Sequence, residues 1–163
     1  MMKLKLIAAA AAALFMSGTA QAQKAEWYLL GADGQNTALI FVERFSVSLK
    51  GDQATATTLI LRVDDSKGEE IAVLGDLAID CRGRSFKILK LQPLDPDGNR
   101  LGNEIPGNGE VISVEPNSFY DGALDFACGG SAKPDPQLLI GNRPPVVAGA
   151  KYLRDEQAAK AKQ

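Results

Sequence analysis

Apolar and polar residues alternate in short runs along most of residues 26–114, and turn-forming residues close each run. A period of two marks half-buried strands rather than amphipathic helices. Residues 26–30 and 37–42 are β-type runs on either side of a turn at 31–36, which predicts a hairpin. Trp27, the only tryptophan, belongs to its packed side. Residues 45–49 alternate cleanly, which places Phe45, Val47 and Leu49 on one side of a third strand. Residues 55–63 carry many β-branched side chains and no Gly or Pro, the strongest strand signal in the chain. Residues 71–74 and 77–81 flank Gly75 and Asp76 and read as one long strand with a bend or bulge. After a tight turn at 82–84, residues 85–92 alternate imperfectly. Residues 93–109 are turn-rich, and 110–114 form a short edge strand.

The pattern changes at residues 116–128. Phe119, Ala123, Phe126 and Ala127 recur at helical spacing, with Tyr120, Leu124 and Cys128 beside them. Ser118 reads as the N-cap, Asp121 as its capping-box partner, and Gly129 with Gly130 as the stop. Gly122 costs about 1 kcal/mol of helix propensity, and so short a helix needs a surface to lie on. Residues 131–147 include Pro134, Pro136, Pro144 and Pro145 and read as an extended linker with a short apolar patch at 138–140. Residues 149–163 are of mixed charge and contain several alanines, and are expected to be a mobile tail that is at most a transient helix.

The first residues add a compartment. Lys3 and Lys5 precede an apolar run at 6–16 and a small-residue site at Ala20 and Ala22. That pattern predicts a signal peptide over 1–22. The apolar run is far short of the ~20 residues a spanning helix needs, so no transmembrane span is expected. The expected destination is the periplasm or the cell exterior of a Gram-negative bacterium. The mature chain would be 163 minus 22, or 141 residues, which is one domain. This divides the chain into a leader (1–22), a β-rich domain ending in a short helix (23–130) and a linker with tail (131–163).

Charge and cysteines narrow the picture. Without Lys3 and Lys5 the count is 16 basic against 20 acidic residues, a net charge of −4. That balance argues against nucleic acid as a partner. Two cysteines in an oxidising compartment make one disulfide, Cys81–Cys128. It closes a loop of 128 minus 81 plus 1, or 48 residues, worth ~4 kcal/mol on the chain-entropy model. The bridge places the helix against the strand that ends at Cys81. The fold class is therefore α+β, mainly β. The chain has no histidine, which removes Ser-His-Asp and Cys-His catalysis and the usual zinc sites.

Several features resemble the surface-adhesin protein E-like family of small exported bacterial domains. They are Trp27, residues 41–47, and residues 79–82 followed by the strand at 85–91. The turn at Asp97 and Gly98, residues 116–118 and Cys128 continue the series. The resemblance spans about residues 26–129. It implies an antiparallel sheet of about six strands with a late helix tethered by the disulfide, and an adhesin-type surface function. Glu43 stands where the family commonly has Asp, and the tail 131–163 is additional.

The candidate chemistry is sparse. Arg82, Arg84, Lys87 and Lys90 form the only basic cluster, a candidate binding patch for an acidic polysaccharide or host protein. Its plainer reading is edge charge that discourages sheet aggregation. Asp95, Asp97 and Asn99 resemble the start of a calcium loop, but Arg100 and Pro106 stand where Gly and Glu are required. Asp121 and Asp125 share a helix face as solvent-side charge. The reading is an exported, non-enzymatic binding or surface module without cofactor or metal. Its expected partner is a host-matrix or cell-envelope protein, and a homodimer is compatible with it. The alternatives are a periplasmic small-ligand carrier and a structural periplasmic protein. A deep apolar pocket would favour the carrier; a filled core with an exposed apolar patch would favour the module.

Overall fold

In the computed structural model, which describes residues 25–64, 69–130 and 143–162, the alternating runs become strands of one curled antiparallel sheet. The leader (1–22) and most of the proline-rich stretch (131–142) lie outside the described residues. The strands are β1 (Trp27–Ala32), β2 (Ala38–Glu43), β3 (Ser48–Lys50), β4 (Gln53–Asp64), β5 (Glu69–Asp80), β6 (Ser85–Leu94), β7 (Ile105–Pro106) and β8 (Val111–Ser113). β1, β2, β4, β5, β6 and β7 lie side by side in that order. β3 continues the β2 lane against β4, and β8 continues the β7 lane against β6. Eight described strands thus fill the six lanes expected.

The clean alternation at 45–49 does not become a full strand. The Glu43 carboxylate accepts the Phe45 N–H at 3.1 Å, and the Ser46 hydroxyl donates to the Glu43 carbonyl at 2.6 Å. These local bonds compete with sheet pairing and wind Arg44–Ser46 into a 3₁₀ turn. Phe45 and Leu49 are left 46% and 45% exposed, and only Val47 packs inward.

The two longest strands change their buried face midway. Along β4 the buried positions are Ala54, Ala56 and Thr58, then Leu59, Leu61 and Val63. Because side chains alternate across a strand, the change of parity between Thr58 and Leu59 moves burial to the opposite face. β5 follows it in register: Leu74 and Ala72 lie opposite Leu59 and Leu61, while Leu77 and Ile79 lie opposite Ala56 and Ala54. β6 follows by carrying an extra residue, Leu89, across from the step between Asp76 and Leu77. The irregularity expected at Gly75 and Asp76 is therefore a bulge on the facing strand. It brings Phe86 to one face and Gln92 and Leu94 to the other. The core is accordingly two clusters, one on each face and at opposite ends of the sheet.

Helix α1 (Asp121–Ala127) covers the cluster of Ala54, Ala56, Leu77, Ile79 and Phe86. It starts later than the cap pattern predicts. Ser118 makes no cap, and the Asp121 carboxylate instead accepts the Asn117 N–H at 2.6 Å. Ala123, Leu124 and Ala127 are sealed beneath the helix, whereas Phe119 and Phe126 are only partly buried. Phe126 meets Tyr28 edge-on, with ring centres 5.4 Å apart. The stop is as predicted: Gly129 N–H donates to Phe126 and Gly130 N–H to Asp125, at 3.2 and 2.8 Å. The Cys81–Cys128 disulfide joins the helix end to the end of β5, with Cα atoms 5.6 Å apart. Gly122, a weakness by propensity, is where the helix presses on β1. A Cβ there would lie 2.1 Å from the Leu30 carbonyl oxygen.

The expected mobile tail is instead a second helix, α2 (Val146–Lys160), lying on the other face. Val146, Ala150 and Leu153 are 0%, 1% and 0% exposed, packed with Phe41, Leu59 and Leu61. Gly149 lets the helix lie close, since a Cβ would come within 2.6 Å of Leu61 Cδ2. Gln157 donates to the Val63 carbonyl at 3.2 Å, Lys160 to the Gln35 carbonyl at 3.0 Å, and Arg154 pairs with Glu70. Positions 146, 149, 150 and 153 form a narrow stripe in which Val146 and Leu153 flank the small Gly149 and Ala150.

Candidate functional site

Two helices on opposite faces at opposite ends leave two quadrants of the sheet uncovered by any described element. The first lies on the α1 face, beyond α1. Here Ile60 pairs with Val73 and Val73 with Pro93, while Gly75 pairs with Leu91 and Leu91 with Ile105. Paired residues share a face, so these side chains form a contiguous apolar patch over four lanes. Ile71 and Ile105 are 51% and 50% exposed. Arg62, opposite Ile71, is exposed at the patch edge and makes no ion pair among the described residues. The Leu59-Ile60-Leu61 run carries the signal for this patch. A strand buried on one face needs only alternate apolar positions, and Ile60 is in excess.

The second quadrant lies on the α2 face, beyond α2, and is polar. One row runs Ser48, Thr55, Ala78, Lys87 and Val111, each paired with the next. Its neighbour runs Lys50, Gln53, Asp80, Ser85 and Ser113. A cleft of about 400 Å³ is lined by Gln53, Ala78, Asp80, Ser85, Lys87 and Val111, with Phe86. A smaller one, of about 170 Å³, lies over Thr57, Asp76, Lys90, Arg100 and Glu104.

The sheet separates the four basic residues of the expected patch. Arg84 reaches α1, where it pairs with Asp121 and, at 3.3 Å, with Asp125. The Asp125 hydrogen bond above all holds its pKa above the ordinary arginine value, against partial desolvation. The two helix carboxylates are thus a clamp on Arg84. Lys90 lies on the other face, bound to Glu104 at 2.8 Å and to Asp76 at 3.3 Å. Those two carboxylates, Glu104 first, raise its pKa. Arg84 and Lys90 therefore hold lanes and helix together. Arg82 and Lys87 remain exposed, without an ion pair among the described residues.

The calcium-like turn is filled by its own chain. The Asp95 carboxylate accepts from the backbone of Asp97 and Asn99 and from the Asn99 amide, at 3.0, 2.7 and 3.0 Å. Asn99 first, these bonds hold its pKa below the usual carboxylate value. Inside the molecule, the apolar space between Ala56, Leu77, Tyr120 and Leu124 holds a cavity of only about 10 Å³. Burial raises the Tyr120 pKa, with Arg62 opposing. Comparison with protein-family profiles, with curated proteins and with solved structures finds no match to this chain.

Proposed function

We propose that this chain is an exported, non-enzymatic interaction module that docks a protein of the cell envelope or host matrix on its open apolar quadrant. The observation that carries this reading is a filled core beside an exposed apolar patch. The enclosed apolar space of about 10 Å³ falls well below the ~300 Å³ at which small-ligand pockets begin, and the clefts of about 400 and 430 Å³ are open and lined largely by polar and charged side chains, which speaks against the carrier alternative. Half-exposed Ile71, two residues along β5 from Val73, and Ile105, opposite Leu91, belong to the kind of contiguous apolar surface that marks interaction sites. The unpaired Arg62 at its edge supplies an interface-type anchor. Export is supported by the leader pattern and by the Cys81–Cys128 disulfide. No helix among the described residues is long and apolar enough to cross a membrane. The adhesin-type resemblance of residues 26–129 points the same way.

The test captures partners from periplasmic extract and from an extracellular-matrix preparation on immobilised oxidised mature protein. The parent, Ile71→Lys with Ile105→Lys, and Lys87→Gln are compared. A saturable protein partner that the double lysine variant loses and Lys87→Gln retains supports the reading. Capture that all three share equally, or none at all, overturns it. The melting temperature of the double variant, expected to stay near the parent's, separates lost docking from lost folding.

A further inference from the structure

The polar quadrant has a chemistry of its own, independent of the apolar one. Its carboxylates are already engaged. Asp76 accepts the Thr57 hydroxyl at 2.7 Å and pairs with Lys90, and Glu104 pairs with the same ammonium. The Asp80 carboxylate accepts the N–H groups of Arg82 and Gly83 at 3.1 and 3.0 Å. Its cations are not. Lys50 and Lys87 on the face, Arg82 at its end and Arg100 over the smaller cleft are exposed and make no ion pair among the described residues. Five cations, Lys50, Arg82, Lys87, Lys90 and Arg100, stand against three carboxylates, Asp76, Asp80 and Glu104, so a protein with an excess of acidic residues presents a face of net positive charge. Such a local field attracts a polyanion.

We propose that this face binds an acidic polysaccharide. Charge complementarity requires a polyanion, and the remaining groups select its type. Ser48, Thr55, Gln53, Ser85 and Ser113 lie in register with the lysines and offer hydroxyl and amide partners suited to a hydroxyl-rich chain. No aromatic side chain lies among these registered positions. A protein partner would want apolar anchors at the centre, and a single-stranded nucleic acid would want stacking platforms. Five lanes at ~4.8 Å spacing make a surface ~20 Å across, long enough for several sugars of a linear polymer. Lys50 and Lys87 lie three lanes apart, so they meet successive acidic groups rather than one.

The experiment measures binding of the oxidised mature protein to heparin, to polygalacturonate and to neutral dextran. A single-stranded oligonucleotide and poly-glutamate serve as the other polyanions. Both acidic polysaccharides should bind and dextran should not, with affinity falling as salt rises from about 50 to 200 mM. Lys50→Gln with Lys87→Gln should weaken binding and reduce the slope of log affinity against log salt by about 1.5, as the loss of two counterion-releasing contacts requires. Arg62→Gln, a cation on the other face, should leave it unchanged. Lack of binding at low salt overturns the proposal, and so does equal loss in Arg62→Gln. Equal affinity for the oligonucleotide or poly-glutamate also overturns it, because charge alone would then explain the binding.

Discussion

Leu153→Ala tests the packing of α2 most directly. Leu153 is fully buried against Phe41, Leu59 and Leu61, and truncating such a leucine costs ~2–5 kcal/mol once the cavity is counted. Deleting residues 143–163 removes Leu153 and Val146 together. At ~1.5–3 kcal/mol for each fully buried side chain, the loss is ~3–6 kcal/mol. Uncovering Phe41, Leu59 and Leu61 adds to it. A domain stable by ~5–15 kcal/mol would lose much of its margin. Urea unfolding followed by Trp27 fluorescence suits the measurement, because Trp27 belongs to the same cluster. Val147→Ala, at a 62% exposed position of the same helix, is the control and should stay within about 0.5 kcal/mol of the parent. A mobile tail would give a truncated protein with the parental midpoint. If the truncation and Leu153→Ala both unfold with the parent, the two-sided core is wrong.

Gly122→Ala should destabilise by ~1–3 kcal/mol despite alanine's better propensity, since the new methyl meets the Leu30 carbonyl; a more stable variant in thermal melts would contradict this. Alkylation without reductant should find no free thiol, and Cys81→Ala with Cys128→Ala should cost ~2–5 kcal/mol; two reactive thiols in the native protein would refute the bridge. Burial raises the Asp33 pKa, but the Thr37 hydroxyl, the N–H groups of Thr37 and Ala38, and Arg62 together lower it. A lowered folded value means stability present above the unfolded pKa of ~3.9 and lost as pH falls through the folded value. Asp33→Asn should therefore flatten the acid limb of the stability–pH curve, and an unchanged limb would exclude the group. Intact mass of protein from the periplasm should begin at Gln23; a retained leader would remove the support for export.

Strand positions, the long β4 and β5 pair, the β1–β2 hairpin and the cysteine pairing are legible in the sequence because they rest on local period, turn residues and a count of two. The helix stop at Gly129 and Gly130 is legible for the same reason. Residues 45–49 misled because Glu43 and Ser46 bind nearby backbone more readily than the run pairs as a strand. α2 is legible only as a transient helix, because its inner stripe carries just two larger apolar side chains, Val146 and Leu153, and their burial depends on Phe41 and Leu61 from far along the chain. The basic cluster shows the boundary most sharply. Arg84 and Lys87 are three positions apart in the chain, yet one clamps α1 and the other stands free on the opposite face. Which charges are spent, and which quadrants stay open, depends on partners brought together from more than a hundred residues away, as Phe41 and Leu153 are. Alternation along a strand specifies that there are two faces; only the packing of helices against them settles which part of each is left for a partner.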